Sequence, residues 1–301
     1  MSFNLYFAGW GSKGADEYLR SKKAHRLLSW VNETRVLDWW INDNLSHRLF
    51  IDSGAYSVAH SNIKISVDDY IEFINNHKDI KVWAELDSIP FPKLTQQTTK
   101  FSCEKSWENY VYMRDKIPYD ISILPVYHFG EPKSALLNIL NTKVNGKKID
   151  YIGIGGKHGV STDLQIQYFN EIFTIIQNSN NPNVKVHGFG ITIPKILNQF
   201  PFYSADSTTW LQVAISGGIL TEDLRTIQIS DGSRHMKDNI QNMNKSVLDT
   251  ILPTIEKYGY TYEELCSDYK KRLLYNIDVM LNWESNYKYI GPETFKSHKL
   301  F

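Results

Sequence analysis

The apolar positions of this chain fall into short runs separated by longer stretches with helical spacing. Eight runs read as strands: residues 4–9 (NLYFAG), 48–54 (RLFIDSG), 81–87 (KVWAELD), 121–128 (ISILPVYH), 151–156 (YIGIGG), 184–190 (VKVHGFG), 202–208 (FYSADST) and 226–231 (TIQISD). Each mixes β-branched, aromatic and small residues, and most end in Gly, Asp, His or Ser. Continuous apolar runs closed by turn residues suit parallel strands buried on both faces. Between them, 66–76 opens with a Ser cap and an acidic first turn, the signature of a helix start. The stretch 104–116 carries Trp107, Tyr110, Val111 and Arg114 at helical spacing, and 161–177 places Leu164, Tyr168, Ile172 and Ile175 on one face. A short helix is predicted over 193–199. Strand starts recur every ~20–45 residues, which gives the about eight β/α units of a (β/α)8 TIM barrel. The reading is α/β: a barrel over 1–235, then a C-terminal helical segment over 236–301 that is broken at Pro253 and near Gly259. A doubly wound open sheet is the alternative. It fits less well, because no Gly-rich phosphate loop follows the first strand.

Composition narrows the class. The chain has 301 residues with 42% hydrophobic and 22% charged, enough to bury a large core. No apolar run approaches the ~20 residues of a membrane span. The N-terminus lacks the basic start and apolar stretch of a secretory signal. A soluble cytoplasmic protein with no membrane partner is expected. Cys103 and Cys266 stand far apart, so neither a Cys-based zinc site nor a disulfide framework is predicted. Formal net charge is zero. Any nucleic-acid contact must therefore come from a local patch.

In a (β/α)8 barrel the strand C-termini and the loops after them build one mouth. Asp52, Asp87, His128 and Asp206 all stand at predicted strand ends. Alone, an Asp in that position often caps the next turn. Three carboxylates facing one cavity repel and raise at least one pKa. Such clusters persist where a metal or a reaction uses them. A metal-dependent hydrolase barrel needs paired His ligands on its first strand, and none are present; no metal is predicted. Gly54, Gly130, Gly155, Gly156, Gly188 and Gly190 either permit tight turns or leave room for a flat ligand. IGIGG lacks the spacing of a dinucleotide fingerprint. His60, His77 and His158 have no partner pattern, whereas His128 and His187 end predicted strands.

These strand-end motifs resemble those of the tRNA-guanine transglycosylases and their DNA-acting DpdA-like relatives, which insert 7-deazaguanines. The resemblance runs from Ile51 to about Gly218 and rests on motif order. Asp52-Ser53-Gly54-Ala55-Tyr56 is similar to the family's DSGG-aromatic segment, whose Asp contacts the purine and moves a proton. Glu85-Leu86-Asp87-Ser88-Ile89-Pro90 resembles the segment whose Asp reads the guanine edge. Tyr127 or His128 stands where the family carries a base-reading Gln. Gly153–Gly156, with Gly155 and Gly156 at its end, matches the Gly-rich turn that receives the 7-substituent. Gly188-Phe189-Gly190-Ile191-Thr192 with Pro194 matches a G-x-G-x-P segment. Asp206 matches the nucleophile. The family's C-terminal zinc site of three cysteines and a histidine is missing, and Ser207-Thr208-Thr209-Trp210 looks closer to the shorter phage and bacterial relatives. Both departures favour DNA over tRNA as the polymer.

The resemblance implies a base exchange in nucleic acid, with guanine leaving and a 7-deazaguanine base entering, and with no cofactor. Asp206 and Asp52 are the expected catalytic pair. Asp87, His128, Tyr127, Gly155, Gly156 and Ser53 are expected to bind the substrate, with Tyr56 or Phe189 stacking on its ring. Lys157, His158, Arg234, His235 and Lys237 are candidates for phosphate contacts. A tRNA substrate, a nucleoside N-glycosidase and a catalytically silent nucleic-acid-binding barrel remain as alternatives.

Overall fold

The computed structural model describes residues 3–55, 65–89, 96–156, 159–233, 235–236, 239–242 and 245–291. Nine short strands form one sheet: β1 (Asn4–Phe7), β2 (His25–Ser29), β3 (Leu49–Asp52), β4 (Val82–Ala84), β5 (Ser122–Leu124), β6 (Val126–Tyr127), β7 (Tyr151–Gly155), β8 (Lys185–Phe189) and β9 (Ser204–Ser207). All pairings in it are parallel. β5 and β6 are two halves of one stave, interrupted at Pro125. The first half pairs with β4 and the second with β7. β9 pairs with β1, in the register Asn4↔Ser204 to Phe7↔Ser207. The result is an eight-stave barrel wound by α-helices, with a helical extension at its C-terminus.

Period-two alternation sorts the strand side chains. Tyr6, Ala8, Leu27, Phe50, Ala84, Leu124 and Tyr151 fill the interior. Their neighbours in sequence, among them Leu5, Phe7, Leu28, Ile51 and Trp83, face outward into the larger core beneath the helices. Residues at the inward positions of the staves' C-terminal ends therefore point up into the mouth.

The barrel has eight staves, but their membership differs from the sequence-based expectation. β2 was not predicted. Its run His-Arg-Leu-Leu-Ser opens with two polar residues, and Arg26 is fully buried behind the sheet. Its two terminal nitrogens donate to the carbonyls of Phe7, Leu27 and Gly9, while Nε lies 3.6 Å from Asp16 without a hydrogen bond. Conversely, Thr226–Gln228, expected as the eighth stave, forms an antiparallel hairpin with Gly218–Leu220 outside the barrel. The parallel pairing of β9 with β1 leaves no edge for it.

Helices lie close to where the pattern places them. Val67–Asn76 is capped by Ser66, whose hydroxyl accepts from the Asp68 N–H, and Thr162–Gln177 is capped by Ser161. Gln96–Lys116 starts earlier than expected, and Lys245–Lys257 continues through Pro253 rather than breaking there. Tyr269–Ser285 ties the extension to the barrel. The Asn276 side chain bonds the Leu220 N–H and the Trp210 carbonyl, and Glu284 accepts from the Leu5 N–H at 2.7 Å.

Candidate active site

Asp206 is an inward residue of β9, level with Tyr6 on β1. Its Oδ1 accepts from the Gly190 N–H at 2.9 Å and faces His187 Nε2 at 3.2 Å. Gly190 holds φ +65°, a left-handed conformation that glycine adopts without strain and that aims its N–H back at β9. His187 is fully buried on the neighbouring stave. Burial lowers its pKa against the pull of Asp206, so the ring is neutral. A neutral ring donates from one nitrogen and accepts at the other. Nε2–H therefore serves Asp206, while Nδ1 accepts from Ser204 Oγ at 2.6 Å, and Ser204 in turn meets the Tyr151 hydroxyl. A four-residue chain thus runs through the barrel interior to one oxygen of Asp206. The other oxygen, Oδ2, takes no hydrogen bond from the described residues.

Asp52 ends β3. Its Oδ2 accepts from the Gly54 N–H at 3.0 Å. Gly54 has φ +78°, and a Cβ there would lie 2.8 Å from Ser29 Oγ, so only glycine makes this turn without strain. Burial, then the charge of Asp87, then that of Asp206 push the Asp52 carboxyl up to about 7, with the Gly54 N–H pulling the other way. Asp52 is thus close enough to feel the charge of both other aspartates.

Asp87 is clamped. Ser53, itself buried, donates to its Oδ1 at 3.1 Å, and His128 Nε2 lies 3.0 Å from its Oδ2. On its far side the His128 ring meets Glu131 Oε1 at 2.9 Å. Burial opposes charge on this ring, but the carboxylates of Asp87 and Glu131 outweigh it and raise the pKa to about 10. His128 is accordingly an imidazolium at neutral pH.

Several expected ligand contacts fall elsewhere. His128 has both ring nitrogens engaged, so it holds Asp87 rather than standing free for a base. Tyr127 belongs to the outer core, not the mouth: its hydroxyl donates to the Glu131 carbonyl, because the stave's alternation turns it outward. A side chain at Gly156 would run into Ile191 at 2.3 Å, so that glycine serves packing. A Cβ at Gly155 would meet His128 at 3.6 Å, an ordinary contact, so that position does not require glycine for packing. Phe189 lies edge-on to His187 at 4.5 Å and against Phe50 at 5.7 Å, over the space that Gly153 leaves, and floors the mouth. Tyr56, His60, Lys157, His158, Arg234 and Lys237 lie outside the described residues.

The sequence reading missed the roles of His187, Ser204, Tyr151 and Glu131. Alternation on β8 and β9 carries part of that signal, since His187 and Asp206 both fall on inward positions of adjacent staves. Glu131 carried none, because its link to His128 depends on the loop's shape.

A cavity of about 700 Å3 opens on the barrel's flank, between helices Gln96–Lys116 and Lys133–Asn141, with Glu85, Val126 and Glu131 among its walls. Glu131 joins it to the mouth, since the same carboxylate bonds His128. Glu85 is fully buried there; one oxygen accepts from the Val126 N–H at 2.7 Å, and burial raises its pKa well above the usual carboxylate range. Among the described residues no cluster of three or more His, Cys, Asp or Glu side chains could hold a metal ion, and no helix is long and apolar enough to cross a membrane.

No protein-family profile matches the chain. It is similar to a viral protein, "Uncharacterized protein 306" of Sulfolobus islandicus rod-shaped virus 1, with 25% identity over 276 residues that cover 90% of this chain and 77% of that one.

Proposed function

We propose that the protein is a base-exchange transglycosylase that replaces guanine by a 7-deazaguanine in a nucleic acid, with DNA as the favoured polymer. The observation that carries this reading is Asp206: one oxygen is held by Gly190 and His187, the other takes no hydrogen bond from the described residues, and the group lies within charge range of Asp52. An N-glycosidic bond breaks through an oxocarbenium-like transition state, which a carboxylate beneath the sugar stabilises and then traps. Asp206 Oδ2 bonds to C1′ as the C1′–N9 bond breaks. The departing base takes the proton of Asp52, whose pKa near 7 suits donation and return at neutral pH. The incoming base gives its N9 proton to the same carboxylate, N9 attacks C1′, and Asp206 is released. Asp87 accepts from the N1–H and N2–H edge of the purine, and the His128–Glu131 clamp fixes its direction.

The test is trapping. Incubation with DNA or tRNA in the absence of incoming base is expected to leave a denaturation-resistant protein–nucleic acid adduct, and Asp206→Asn is expected to abolish it. A parent protein that binds nucleic acid tightly but forms no adduct, and incorporates no labelled guanine, would favour the silent binding barrel instead.

A further inference from the structure

The two staves that separate Asp206 from Asp52 are β1 and β2. The loops that follow them carry a cluster of aromatic and basic side chains. Trp10 stands three residues past β1, where Gly9 (φ +80°) turns the chain. Arg35 stands past β2, in the turn between helices Trp30–Glu33 and Leu37–Asn42. The Arg35 guanidinium lies 4.7 Å from the centre of the Trp10 ring, and Trp10 meets Trp39 at 6.3 Å. Lys13 and Arg20 both lie within 6 Å of Trp39 (5.9 and 5.7 Å).

Trp10 and Trp39 differ from the buried Trp40, and Arg35 differs from the cations around it. Trp40 is fully buried with its N–H on Asp16, whereas Trp30, partly exposed, is tilted against Tyr70 at 4.7 Å and Phe73 at 6.0 Å. Trp10 and Trp39 remain partly exposed. Lys13 pairs with Glu17, and Arg20 pairs with Asp16 and Asp43. Arg35 is exposed and has no ion pair among the described residues. A planar cation on an indole, without a carboxylate to neutralise it, suits phosphate and base faces together. In a chain of zero net charge, such a local patch is where a polyanion can be met.

We infer that Trp10, Arg35 and Trp39 form a stacking platform for the unpaired nucleotides next to the base that enters the mouth. The partner is a single strand, or a strand opened locally, held through its base faces and one phosphate. This rests on the transglycosylase reading for the identity of the entering base. The platform itself makes a separate claim about binding.

The experiment measures equilibrium binding of a fluorescein-labelled 12-nucleotide single-stranded DNA, and of the same sequence as RNA, to an Asp206→Asn protein in which no adduct can form. Trp10→Ala and Arg35→Ala are each expected to weaken binding by about 5- to 100-fold, the range that one lost stacking contact produces. Arg35→Ala should also flatten the slope of log affinity against log salt by about 0.7, the value of one phosphate contact on a single strand. Arg35→Lys should restore the slope, and Trp10→Phe should restore part of the affinity; a general loss of structure would do neither. The tighter of the two polymers identifies the natural one. Binding within 2-fold of the parent for both alanine variants overturns the platform, even if the adduct forms. Normal platform behaviour with no adduct in the Asp206 protein overturns the transglycosylase reading and leaves the platform standing.

Discussion

At the scale of single residues, the site is a set of carboxylates whose neighbours assign them different work. Asp206 is tethered by one oxygen, Asp87 is locked between Ser53 and His128, and Asp52 is left half-buried among their charges. Carboxyl groups with separated proton affinities are how one site runs acid and base steps at one pH. The protonated fraction of Asp52 falls as pH rises through about 7. Adduct formation in a single turnover should therefore slow across that pH, because the leaving base loses its proton donor. Asp52→Asn should slow the step by about 10²- to 10⁴-fold, the usual weight of general acid catalysis, and leave what remains insensitive to pH. Rapid-quench measurement of adduct between pH 5 and 9 checks both; a parent rate that does not change through pH 7 removes Asp52 from the acid role. The aspartates themselves were legible from sequence, since each ends an apolar run. The clamps were not. Tyr127 and His128 read alike as polar side chains at a strand end, yet one turns out into the core and the other is drawn between Asp87 and Glu131. Alternation from the inward Leu124 turns Tyr127 outward, but it does not say that His128 meets two carboxylates, one of them from the following loop.

At the scale of elements, the loops between staves and helices do the positioning. The Gly190 turn is the sharpest case: its left-handed backbone is what brings an N–H to Asp206. Gly190→Ala forces an L side chain into that region at a cost of about 1–2 kcal/mol, or lets the turn relax and carries the N–H away from the carboxylate. We expect a modest loss of thermal stability together with a 10- to 100-fold slower adduct formation, roughly what one misdirected charge-assisted hydrogen bond is worth. Full activity with lowered stability would place the turn outside the site. Element reading from sequence worked where burial and polarity agreed. β3, β4 and β7 are mainly apolar and were found, and β8 and β9, with small and polar residues facing the interior, were found from the turn residues that close them; β2 hides a buried arginine and was not. The Thr226–Gln228 run looked the same as a stave because alternation alone does not say which edge a strand meets. The count of eight survived because one omission and one addition cancelled.

At the scale of the whole molecule, the mouth is kept at an energetic cost that pH should reveal. Asp52 has a folded pKa of about 7 against the usual 3.8. A raised acid favours the folded state below its unfolded pKa and loses that advantage as pH rises through the folded value. Its contribution is therefore complete near pH 4 and gone above pH 7; Glu85, raised by burial, acts in the same direction. His128 is raised from 6.5 to about 10 by its two carboxylates, so its contribution holds below pH 6.5 and fades toward pH 10. Thermal unfolding across pH 4–10 should separate the two. The stability of Asp52→Asn relative to the parent should climb between pH 4 and 7, by on the order of 2 kcal/mol given about 1.4 kcal/mol per pKa unit and some solvent contact, and then stay level. His128→Asn should stand below the parent at pH 6 and approach it toward pH 10. If the Asp52→Asn difference is the same at pH 4 and pH 7, the three carboxylates do not share one desolvated mouth. The separation of Asp206 from Asp52 by only two staves would then have no electrostatic consequence, and a barrel that gathers its charges for catalysis would be the wrong description of the protein.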